Sequence, residues 1–223
     1  MPLDIVSYLM GQKNGGGAGG GSYPLLDGVA GYISSKALDS LSAFDFTIAN
    51  SAGKFAAVLC WTRATVTPPA DVSIVYTYSQ NIDGTLLYTT LIKVPITSDD
   101  FSIHVTCAQS TQSGAICFVV SSDFTANVLA AAQGLHQSVT VPPGFSIFVA
   151  HSRFQESGIG RWANTNGCVT YLFPKDVATT DSTLIRILPG YVQTANGITA
   201  DLGFNSNNTT GSFVCINLVA AAE

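Results

Sequence analysis

The chain has 223 residues, 47% of them hydrophobic and only 10% charged, with a formal net charge of −5. This composition excludes a disordered chain, and the lack of any Lys/Arg cluster argues against a partner of duplex nucleic acid, which demands a basic face. No apolar run is long enough for a membrane-spanning helix, and the start of the chain lacks the basic and apolar regions of a signal peptide.

Residues 2 to 10 carry Pro2 and Asp4 where a helix N-terminus favours them. Leu3, Ile5, Val6, Leu9 and Met10 recur at helical spacing and form a broad apolar face, which Gly11 ends. A helix of this length is marginal alone, so the peptide needs a partner surface. Asn14 to Ser22 follows, with seven of nine residues Gly or Ala. Nothing in it can offset backbone ordering, so it reads as a flexible tether spanning about 15–18 Å r.m.s.. The predicted organisation is an anchor peptide over 1–13, a linker over 14–22, and two sandwich repeats over 23–127 and 128–223.

From Asp27-Gly28 onward the texture is β: Thr, Val, Ser, Ile and aromatics abound and Glu is rare. Phe44 to Ile48 alternates. Lys54 to Trp61 is nearly all apolar and predicts a central strand covered on both faces. Val72 to Tyr78 alternates, with Ile74, Tyr76 and Tyr78 assigned to one side. Asn81 to Gly84 is a hairpin signal, and Leu86 to Val94 pairs back across it. Phe101, Ile103, Val105 and Cys107 share the next face, and Ala115 to Val120 is a buried run. Phe124 to Leu135, with Leu129-Ala-Ala-Ala132, is the one interior piece compatible with a helix. Val139 to Val141, Phe145 to Ala150, Val169 to Phe173, Thr183 to Ile187, Ile198 to Phe204 and Ser212 to Val219 complete the strands, and Phe154 to Gly167 reads as a polar, Gly-rich loop.

The two halves look alike. Gly53 falls on Gly144, Leu38 on Leu129, Phe44 on Leu135 and Ile48 on Val139. Phe55 to Arg63 lies on Phe145 to Arg153, Asp83 to Leu86 on Asp181 to Leu184, Ile103 to Val105 on Ala200 to Leu202, and Ile116 to Phe118 on Val214 to Ile216. The expected fold is therefore all-β: an antiparallel β-sandwich or jelly-roll-like body in two duplicated halves, behind a short N-terminal helical anchor. The halves either stand as two sandwiches or interleave into one.

Candidate chemistry is sparse. His104, His136 and His151 form no metal-ligand spacing, so no metal or cofactor is expected. There is no nucleophile elbow, Asp99-Asp100 reads as a solvated turn, and no catalytic residue is assigned. Cys60, Cys107, Cys117 and Cys215 sit in apolar runs as core thiols, and with Cys168 they make an odd set that is no disulfide framework. In the 155–167 loop, Arg161, Trp162, Asn164 and Asn166 would suit a glycan, although packing of the loop onto the body or a neighbouring subunit is the favoured reading of Trp162. Arg63 and Arg153 end matching strands and are expected to pair structurally.

Tyr8 to Ser22, with its Met-Gly, Lys and Gly tract, resembles the opening of many tailed-bacteriophage structural proteins. The buried strand Lys54–Arg63, the Pro68-Pro69 turn and the Asp83–Tyr88 strand are similar to β-sandwich repeats of phage fibre, tail and head proteins. Val72 departs from the Trp common there. The resemblance implies a non-enzymatic virion component, assembled in the host bacterial cytoplasm. It would be a homo-oligomer, often a trimer, docked on capsid, connector or tail, with no nucleic-acid or membrane partner. A carbohydrate- or receptor-binding module using the 155–167 loop is the second reading.

Overall fold

The computed structural model describes residues 25–34, 40–70, 72–82, 84–111, 113–134, 136–153, 169–171, 185–204 and 211–221. The regular elements among them are all strands. The first eight are β1 (Leu26–Ser34), β2 (Ser40–Ala49), β3 (Phe55–Thr62), β4 (Val66–Thr67), β5 (Ser73–Ile82), β6 (Thr85–Pro95), β7 (Asp100–Thr111) and β8 (Gly114–Val120). The remaining seven are β9 (Phe124–Gln133), β10 (His136–Val141), β11 (Gly144–Arg153), β12 (Val169–Tyr171), β13 (Ile185–Thr194), β14 (Ile198–Gly203) and β15 (Gly211–Ala220).

These strands build four sheets, with every pairing antiparallel. Two have five strands, in the orders β1-β8-β3-β6-β5 and β9-β15-β11-β13-β12; the smaller two are β2-β7-β4 and β10-β14. The two large sheets repeat one connectivity, and so do the pairs β2-β7 and β10-β14. Each half sets a large sheet against a small one, with chain-distant strands as neighbours, which is the jelly-roll pattern of double Greek keys. The halves are thus two duplicated jelly-roll-like sandwiches, not one interleaved sandwich.

The sheets stack in four layers with three apolar seams. Phe44, Ile48, Val58, Ile92, Val105 and Cys117 fill the seam between the small and large sheets of the first half. Val139, Val141, Phe148, Leu188, Leu202 and Cys215 fill its counterpart in the second. The middle seam joins the two large sheets through Leu59, Trp61, Phe118, Phe145, Ile147 and Ile216. Each large sheet is therefore covered on both faces. That explains why β8 is buried from end to end and why β3 and β15 read as continuous apolar runs, a pattern more usual in parallel sheets.

Four expectations change. Phe124 to Gln133 is strand β9, not helix: its register against β15 overrides the helix propensity of the Ala run. Leu26–Ser34, in a stretch ambiguous from its sequence, is strand β1, the counterpart of β9. Both carry a bulge at one position, after Val29 in β1 and after Val128 in β9. Leu129 thus corresponds to Ala30, not Leu38. Pairing to the matched strands β7 and β14 likewise sets Phe46 on Val139 and Ile48 on Val141, because the turn before β11 is shorter than the one before β3. Finally, a bulge between Ile74 and Tyr76 puts Ile74 on the opposite face of β5 from Tyr76 and Tyr78, leaving it 44% exposed.

Candidate functional site

Strand direction gives the body two dissimilar ends. β1 begins opposite Val120, where β8 ends and Phe55 begins β3, and β11 begins opposite Leu218 near the end of β15. The starts of β3 and β11 lie together, since Phe118 meets Phe145 edge-on with centroids 5.4 Å apart. One end, the base, therefore holds the start of the described chain at Leu25, the joint between the halves at Ser121–Asp123, and Ala221. The other end, the apex, holds the ends of β1, β3, β5, β7, β9, β11 and β14.

The base is tied by short polar contacts. The Leu25 amide donates to Ser121 Oγ at 3.0 Å, and the Ser121 amide donates to the Leu25 carbonyl at 3.0 Å. The Leu26 amide reaches across to Gln193 Oε1 of the other half at 3.0 Å. Lys54 pairs with Asp27 at 2.5 Å, and Lys93 pairs with Asp123 at 2.7 Å while its ammonium lies 5.9 Å from the Phe124 ring centroid. The Ala221 amide donates to the Asp123 carbonyl at 3.3 Å. The point where residues 1–24 join the body is thus clamped to both halves.

The anchor residues Leu3, Ile5, Val6, Leu9 and Met10 lie outside the described residues, as do the candidate glycan residues Arg161, Trp162, Asn164 and Asn166. The structure does fix where their segments attach. The leader joins at the base, and the segment bearing Trp162 leaves β11 at the apex after Arg153. That segment rejoins the body at Val169, opposite Val192 and two residues from the basal end of β13. Sequence patterning marked both segments but carried no signal for where they attach.

The remaining polar groups are dispersed. His104 is exposed and pairs with Asp45 at 2.5 Å on the outer face of β7. His136 Nδ1 lies 3.2 Å from the Phe204 carbonyl oxygen. His151 is wholly buried, with Nδ1 3.1 Å from Ser212 Oγ. Asp99 and Asp100 are exposed, and Asp99 Oδ1 accepts the Ala52 amide. The thiols of Cys60, Cys107, Cys117 and Cys215 are buried and unbridged, and burial raises each above its ordinary value, Cys215 to about 12. Among the described residues no group of His, Cys, Asp and Glu could hold a metal ion, and no helix is long and apolar enough to cross a membrane. Comparison with protein families, curated proteins and solved structures finds no match to this chain.

Proposed function

We propose that this chain is a non-enzymatic structural protein of a tailed-bacteriophage virion: a head fibre, decoration or tail-associated protein. Leu3, Ile5, Val6, Leu9 and Met10 bury their apolar face in other virion proteins. The Gly tether absorbs symmetry mismatch, and the jelly-roll body projects outward. Several such copies, in a homo-oligomer such as a trimer, would rebind as one unit.

The observation that carries this reading is that the body has two dissimilar ends. A leader of apolar residues on a Gly tether meets the body at the base, and β1, β3, β5, β7, β9, β11 and β14 all end at the apex. Attachment through one end leaves the other for display, which is the geometry a surface appendage requires. Deleting residues 1–13 tests it. The truncated chain should fold and stay in solution but fail to co-sediment with phage particles; full occupancy on particles without the leader would refute the anchor.

The composition of the 155–167 segment supports a second reading, in which Arg161, Trp162, Asn164 and Asn166 bind a host-surface glycan. Trp162→Ala should then abolish glycan or cell binding and leave the melting temperature unchanged. No glycan signal from the intact chain at high concentration would count against it.

A further inference from the structure

The internal duplication exposes an ionisable group where the other half has none. Trp61 of β3 faces Gly114 of β8 across the sheet, at the apical end of the middle seam. The matched pair in the second half is His151 of β11 and Ser212 of β15. In the first half the indole fills the space above glycine, and a Cβ there would fall 2.5 Å from the Trp61 ring. In the second, a fully buried imidazole touches a hydroxyl through Nδ1, and its Nε2 has no hydrogen-bond partner. His151 lies on the same strand face as Phe145, Ile147 and Val149, so it belongs to the seam that joins the halves.

We propose that His151 is an acid-sensitive latch, whose protonation loosens the apical end of the seam between the two halves while the base stays closed. Among the described residues, its surroundings offer an imidazolium no counter-charge. Ser212 and Ile187 flank it on its own sheet. Among the described residues, the titratable or charged groups that the facing sheet brings to the seam toward this end are the phenols Tyr32, Tyr76 and Tyr78, with Arg63 just beyond β3. These are neutral or cationic at acid pH. Burial accordingly pushes the His151 ring down to about 3 from an ordinary 6.5. Opening the apex returns the ring to water, so each pH unit below 6.5 favours the open form by up to about tenfold. At the base, the Lys54–Asp27 and Lys93–Asp123 pairs and the backbone ties described above have no histidine among them.

Hydrogen–deuterium exchange of the full chain between pH 7.5 and 4.5, corrected for intrinsic amide rates, tests the latch. Between pH 7.5 and 4.5, protection at 150–152 and 212–214 should fall by up to about 100-fold relative to 145–147 and 217–219. The variant His151→Gln should show no such contrast. Where that variant does not fold, His151→Phe with Ser212→Gly, copying the aromatic–glycine pair of the other half, takes its place. The latch is refuted if a folded variant loses protection in parallel with the wild type. Uniform loss from apex to base in the wild type alone refutes it as well.

Discussion

Single residues in this body are constrained chiefly by the partner across the sheet. Gly114 sits under Trp61, and an added Cβ would also meet the Ile33 carbonyl oxygen at 2.5 Å. Gly190 sits under Phe148, with 2.3 Å to that ring and 2.6 Å to the Thr170 carbonyl oxygen. Because the obstacle at each site includes backbone, Gly114→Ala and Gly190→Ala should each lower unfolding free energy by about 1–3 kcal/mol in urea titrations. His151 contributes a pH dependence of defined sign. Its pKa is depressed on folding, so the unfolded state binds more protons below 6.5. The stabilisation is full above that value and is lost as pH falls toward 3. Urea midpoints of the wild type should drop through this window, and those of His151→Gln should lack that component. At this scale the sequence was readable where the neighbours were apolar: Cys60, Cys107, Cys117 and Cys215 are core thiols, and Trp61 is core. His151 was opaque, because its role comes from Ser212, 61 residues away.

Elements reveal the duplication more clearly than residue identities do. The hairpin between β5 and β6 closes with Ile82 opposite Thr85 and Gly84 at φ +82°, as the Asp-Gly signal led one to expect. β3, β8, β11 and β15 were legible as apolar runs for the physical reason that both faces are covered. β1 and β9 were not. Their Gly- and Ala-rich sequences carry little β propensity, and they are strands because β8 and β15 offer them a ladder. Bulges leave no compositional mark, so Ile74 was assigned to the wrong face and Leu129 to the wrong counterpart. The bulge in β9 sets which side faces the seam from Phe124 to Val128. Deleting Leu129 should turn Phe124 and Ala126 away from the middle seam and cost at least about 3 kcal/mol, on the scale of an excised core Phe. A thermal melt would register it, and an unchanged melting temperature would contradict the register.

For the whole molecule, the middle seam decides whether the halves act separately. Phe118 lies edge-on to both Phe145 and Tyr191 of the other half, with centroids 5.4 and 6.0 Å away. Phe118→Ala should therefore cost about 3–5 kcal/mol. It should also move one common transition, seen alike by calorimetry and far-UV dichroism; two separated transitions would show independent halves. The seam also fixes the polarity on which the virion reading rests, since it holds both bases together beneath both apices. That polarity was not legible in the sequence, because it depends on how two matched sheets face each other. The most direct measurement is particle incorporation of two full-length chains carrying one compact domain as an insert. One receives it after Gly84 at the apex, the other between Ala195 and Asn196 in the exposed basal turn after β13. The predicted result is normal occupancy for the apical insert and sharply reduced occupancy for the basal one; equal occupancy, or the reverse order, would contradict attachment through the base.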